Sequence, residues 1–293
     1  MKRSLPYIAI ITAMFLWGTS PIATKFALES LEPLTLVTTR FLLAVTLMMI
    51  VGLLSGSLQK IKREHIHLFI FAGIAQPFLY YICETYGLKL SNSPTVSEVL
   101  LSTSPLFAPL MAYVVIKEKV TWNNIVGIMI STGGVLMMIL AGNNSFDIGS
   151  EWGIVLLFAA VFCAITYTTL LRKIPQQYNS LSIVFYVQLI SLIFFIPMWV
   201  VVDYPRLNEM SITWQPLAAV GYLAVFASVC AFILFCYTVR QIGVTRANAF
   251  NNIRPVFTAL IMLPIFGEQL PWQKWVAIAL VITGLFVCQY QRK

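Results

Sequence analysis

Glu98, Ser102 and Pro105 stand at i, i+4 and i+7, and 150 residues later Asn248, Asn252 and Pro255 repeat that spacing. On a helix such a spacing puts three residues on one face, so each set forms a narrow polar stripe ending in a proline. Carboxylate, hydroxyl and carboxamide groups in stripes like these supply donors and acceptors to a polar ligand, and a carboxylate can also carry a proton. Tyr80 and Glu84, at i and i+4, add a ring and an acid on a further face. Arg40 and Arg254 complete the set of ionisable groups inside otherwise apolar sequence. The competing role for the asparagines is hydrogen bonding between helices, about 0.6 kcal/mol per contact in a membrane. Asn252 is expected on a cavity wall, whereas Asn251 and Arg254 suit either role.

Covalent catalysis is not indicated. The sequence contains no HExxH, no GxSxG and no GxxxxGK[ST] motif, which leaves an intramembrane enzyme acting on lipid-linked substrates as the alternative, without a nucleophile–base pair to support it. The five cysteines are odd in number and form no CxxC pair, and His65 and His67 adjoin a basic loop. No metal, cofactor or disulfide framework is expected.

These residues need elements that hold polar groups in lipid. Of 293 residues, 59% are hydrophobic and 10% charged, and the mean hydropathy is +0.84. Soluble domains carry about one quarter charged residues. A spanning helix needs about 20 apolar residues, and that ruler gives ten spans: 6–26, 34–54, 67–88, 95–116, 123–140, 152–171, 181–201, 216–237, 245–266 and 272–288. The fold class is therefore all-α integral membrane. The basic, apolar N-terminus reads as an uncleaved first helix. A charge at the bilayer centre costs about 2.5–3.5 kcal/mol on insertion scales, so Arg40, Glu84, Glu98 and Arg254 are expected to face the bundle interior or a cavity.

The net charge of +8 is explained by placement. Alternate connections hold thirteen Lys and Arg residues, and the opposite side holds four: Lys25, Lys89, Arg206 and Lys274. This asymmetry puts both termini in the cytoplasm and needs no nucleic-acid partner.

A constant shift of 150 superposes Pro105 on Pro255, Glu118 on Glu268, Trp122 on Trp272 and Gly134 on Gly284. Two halves of five helices follow, 1–144 and 145–293. An odd-numbered unit re-enters the membrane from the other side, so the copies are inverted, a symmetry tied to alternating-access carriers with substrate at the repeat interface. Glu118 and Glu268 end their helices before a cap residue, Thr121, and a first-turn proline, Pro271, and read as structural pins or gate parts. Pro105, Pro109, Pro255 and Pro264 are kinks or hinges. Trp17, Tyr80, Tyr81, Tyr167 and Tyr237 are candidate aromatic walls, of which Trp17 and Tyr80 are preferred over an interfacial role. Gly127 and Ser131, four apart, suit close helix packing.

The segments "FLWGTSPIATKFAL", "RFLLA" from Arg40, and the paired P…E…W…G endings resemble the drug/metabolite transporter superfamily, EamA type. The resemblance covers nearly the whole chain and implies ten helices in two inverted bundles and export of amino acids or other small metabolites across a bacterial inner membrane. Cys163-Ala164 replaces Trp17-Gly18 in the second half, and Gln188 lies near the place of Arg40, so the two gates differ in chemistry. The expected binding residues are Trp17, Tyr80, Glu84, Glu98, Ser102, Asn248 and Asn252; Arg40, Pro105, Glu118, Arg254, Pro255 and Glu268 are assigned to gating or structure. Glu84 or Glu98 is the expected carrier of a coupling proton, with uncoupled exchange as the other possibility. The partners are a small-molecule substrate and the bilayer, and the assembly is a monomer or a homodimer.

Overall fold

In lipid a helix satisfies its backbone hydrogen bonds internally, and among the described residues the long apolar runs of this chain are helical. The computed structural model describes residues 4–28, 30–91, 100–101, 103–140, 151–209, 214–266 and 272–290, and only the backbone of residues 21, 25, 88, 89, 91, 139, 208, 209, 259 and 262–266. Among the described residues there are ten membrane helices. The first two are α1 (Leu5–Leu28) and α2 (Pro33–Leu54). The third, α3, is built of Ile66–Gly73, a π segment Ile74–Leu79 and Tyr80–Ser91. Then come α4 (Ser104–Ile116), α5 (Trp122–Leu140), α6 (Glu151–Lys173) and α7 (Ser180–Val202). Helix α8 joins Trp214–Tyr222, a π segment Leu223–Cys230 and Ala231–Ile242. Helix α9 joins Val244–Ala249, a 3-10 turn Phe250–Ile253 and Arg254–Phe266, and α10 is Trp272–Gln289.

Hydropathy does not reveal the interruptions. In α3, Gln76 is extended (φ −152°, ψ 127°) before Pro77, which removes helical bonds. The carbonyl of Gly73 instead accepts a 2.8 Å bond from the Ser191 hydroxyl of α7. The corresponding third helix of the second half, α8, is interrupted too. There the indole of Trp17 donates to Ala227 O at 2.9 Å and Gln188 donates to Ser228 O at 2.6 Å. Side chains from neighbouring helices thus replace the missing backbone partners, as apolar surroundings demand.

Packing follows the two-repeat pattern. Helix α1 lies on α8 and α9, as α6 lies on α3 and α4; α8 contacts α2, as α3 contacts α7. The pairs α2–α7, α4–α9 and α5–α10 close the set. The first helix of each half therefore packs into the other half. The α5–α10 pair is the tightest approach: a Cβ on Gly127 would sit 2.3 Å from Cys288 N, and one on Gly284 2.4 Å from Ser131 N. Asn124 seals it with a 2.6 Å bond to Cys288 O. The boundary at residue 144 falls within residues 141–150, outside the described residues.

One end of the bundle carries the basic connections and is crossed by polar contacts. Lys117 ends α4 in the left-handed region (φ 54°), turning Glu118 toward α9. The Glu118 carboxylate accepts from Val244 N at 2.9 Å and Thr245 N at 3.0 Å, binding a helix N-terminus of the other half. Arg240, 5% exposed, donates to Tyr178 O at 2.6 Å and Pro175 O at 2.9 Å, and Arg172 donates to Arg240 O. At the opposite end, Asp203 accepts from Thr35 N at 2.7 Å, where α7 meets the start of α2.

Candidate functional site

The two broken helices bring the ionisable side chains together. Tyr80 and Tyr81 open the last piece of α3, immediately after the π segment, and their rings stand perpendicular at 5.2 Å. One turn on, Glu84 accepts a 3.0 Å hydrogen bond from the Tyr80 hydroxyl. From α9, Arg254 enters just after the 3-10 turn and lays its guanidinium 5.7 Å from the Trp17 ring centroid. Glu84 and Arg254 both stand near enough to Tyr80 and Tyr81 for their charges to act on the two phenols.

The two arginines differ in how their donors are used. Arg40 is 5% exposed; its Nε donates to Ser228 Oγ at 2.5 Å and an Nη to the Tyr81 hydroxyl at 3.0 Å, and its plane lies over the Phe41 and Tyr81 rings. Arg254 is half-buried, and among the described residues its guanidinium makes no hydrogen bond or ion pair, lying instead at the Trp17 face. Arg40 is structural, tying α2 to α3 and α8. Arg254 holds five unspent donors suited to a carboxylate or phosphate.

Of the residues expected to bind, Trp17, Tyr80 and Glu84 lie in this cluster, joined by Arg40 and Arg254 from the gating set. The stripe of asparagines turns elsewhere. Asn252 is 1% exposed and donates to Ser131 Oγ at 2.8 Å and Thr132 Oγ1 at 3.0 Å on α5. Asn248, equally buried, donates to Val244 O at 3.0 Å and accepts from Asn251. Asn252 thus has the interhelical bonding that is the alternative to a cavity wall, whereas the bonds of Asn248 stay within α9. The reason is the 3-10 turn at Phe250–Ile253, which rotates the face after it and leaves Arg254, not Asn252, toward the phenols. Glu98, Ser102 and Glu268 lie outside the described residues. Pro105 and Pro255 each occupy the second position of an α-helical stretch, where a missing N–H costs no helical bond, and Pro255 directly follows the 3-10 interruption inside α9. Glu118 is a pin between halves.

Tyr81 was not preferred in the sequence, although a buried arginine needs an acceptor and Tyr81 supplies it. Ser228 carries no sequence signal, and the sequence marks Gln188 only by its place opposite Arg40, because the role of both depends on a π segment that no motif announces.

The EamA-like transporter family profile matches residues 4–140 and again 151–289. The chain is 25% identical to the "Uncharacterized transporter YetK" of Bacillus subtilis, over 100% of this chain and 89% of that one. It is likewise 25% identical to an "Uncharacterized transporter" of Archaeoglobus fulgidus, over 97% of each, and to an "S-adenosylmethionine/S-adenosylhomocysteine transporter" of Chlamydia trachomatis, over 92% of this chain and 84% of that one. A solved crystal structure shares the fold, with a TM-score of 0.83 at 18% identity over 98% of this chain and 96% of that chain. Two tandem family matches, ten membrane helices and a repeat-symmetric packing scheme agree: the chain belongs to the EamA-like transporter family.

Proposed function

We propose that the protein is an inner-membrane exporter of small metabolites that carry a carboxylate beside an amine, amino acids being the simplest, and that it works by alternating access. One observation carries this reading: a half-buried guanidinium, Arg254, lies against Trp17 inside the helix bundle with no protein hydrogen bond or ion pair among the described residues. A charge so placed is costly unless a partner arrives. Arg254 receives the carboxylate, and Glu84, with its Tyr80 hydrogen bond, faces the ammonium. Trp17, Tyr80 and Tyr81 provide the apolar walls. S-adenosylmethionine, named for the Chlamydia relative, itself bears an α-amino acid group, which agrees with this chemistry. The positive-inside pattern orients the basic end to the cytoplasm.

Because α1 packs with α8 and α9, and α6 with α3 and α4, the rocking bodies are these two trios rather than the sequence halves. Helices α2–α7 and α5–α10 act as the joints. Glu84 also carries the coupling proton in this reading. Proteoliposomes loaded with unlabelled amino acids should accumulate labelled substrate by counterflow, and an imposed pH gradient should accelerate it. Absence of counterflow across amino acids and sulfonium analogues refutes the substrate class; unchanged proton coupling in both Glu84→Gln and Glu98→Gln refutes the acid's role.

A further inference from the structure

An apolar groove of about 360 Å³ opens on the lipid side between α4 and α5 at the basic end. Its wall on α4 is Leu106, Pro109, Leu110 and Tyr113, one helical face about 10 Å long at 1.5 Å per residue. Ile125 and Met129 form the other wall over a buried floor, Ile128. Exposed apolar side chains are ordinary in a membrane protein, since lipid covers them. What distinguishes this place is its concavity and the charge at its mouth. The groove ends at the α4–α5 connection, where Lys117 and Lys119 are both exposed. The intervening Glu118 is turned inward onto the Val244 and Thr245 amides, so its charge does not offset theirs on the lipid side. Tyr113 and Trp122, 61% and 75% exposed, flank the same level, the depth at which aromatic residues meet headgroups.

We propose that this groove is a specific binding site for an anionic phospholipid of the leaflet at the basic end. One acyl chain lies between α4 and α5, and the phosphate sits between Lys117 and Lys119. Each lysine near an anionic headgroup is worth about fivefold in affinity, and the groove supplies the part that a free phosphate cannot use. The lipid would bear on the same connection that presents Glu118 to α9, so its occupancy steadies closure of that end.

The test is native mass spectrometry of the full-length protein, titrated in detergent with phosphatidylglycerol or phosphatidylcholine of identical acyl chains. Phosphatidylglycerol should be retained at least about tenfold better. The Lys117→Glu/Lys119→Glu variant should lose about thirtyfold of that retention, and phosphatidylcholine retention should not change. Leu110→Trp, at an exposed wall position, should fill the groove and reduce retention of both lipids with an unaltered melting temperature. Four results would each overturn the proposal: equal retention of the two lipids; full retention in the double-lysine variant; competition by glycerol phosphate as strong as by intact lipid; or a protein dimer that Leu110→Trp dissociates, which would make a second copy the occupant.

Discussion

Arg40 and Arg254 are the same residue type in similarly apolar sequence, yet neighbours give them opposite duties. Arg40 has its donors on Ser228 and Tyr81, and truncation to alanine strands the buried Ser228 hydroxyl and the half-buried Tyr81 phenol. We expect Arg40→Ala to cost about 1.5–3 kcal/mol, read as a lower melting temperature in detergent. Arg254 gives up no protein hydrogen bond when shortened, so Arg254→Ala should melt near the parent while the substrate KM rises tenfold or more, the loss of one charge-assisted pair. Arg254→Lys should recover only part of that loss, because an ammonium cannot make a forked contact. If the two alanine variants exchanged these phenotypes, the assignment of roles would be reversed.

Elements are shaped here by glycine and by interrupted helices. Gly127 and Gly284 let the α5 and α10 backbones touch: a side chain at Gly127 would strike Cys288 N and one at Gly284 would strike Ser131 N, so either would separate the helices. Gly133, on the same helix as Gly127, has open space around its would-be Cβ. Gly127→Ala should therefore cost about 1–3 kcal/mol by overpacking, and Gly133→Ala should be neutral or slightly stabilising through helix propensity. Denaturation of the two variants side by side separates close packing from a general sensitivity of α5. The π segments of α3 and α8 are the other device. They free carbonyls for Trp17, Gln188 and Ser191 and present Tyr80 and Tyr81 where a continuous helix would turn past them.

For the whole molecule, joints and moving parts are distinguished by where the ends are tied. Helices α2 and α7 are bonded at one end through Asp203 and Thr35, and at the other through Asn179 and Ser57 O at 2.6 Å. Helices α4 and α9 are tied at the basic end by Glu118. Removing that carboxylate removes a helix cap worth about 0.5–2 kcal/mol, which shifts an open–closed equilibrium about two- to thirtyfold. Glu118→Ala should thus increase the fraction open at the basic end. Spin labels at Lys119 and Gln241, both exposed, would report it as a longer-distance population. An unchanged distance distribution would reduce Glu118 to a stabilising cap with no part in closure.

The sequence by itself determined the ten helices, their two-fold duplication and the family, because burial in lipid is encoded by length and apolarity and duplication leaves matched residues such as Glu118 and Glu268. It also paired Tyr80 with Glu84, since helical spacing alone puts them on one face. It did not determine which face of a polar helix meets a neighbour. Asn252 and Arg254 are two residues apart, and a single 3-10 turn decides that the asparagine bonds α5 while the arginine meets Trp17. Nor did it reveal that α1 belongs with α8 and α9, because association between helices depends on surfaces brought together only when all ten are packed.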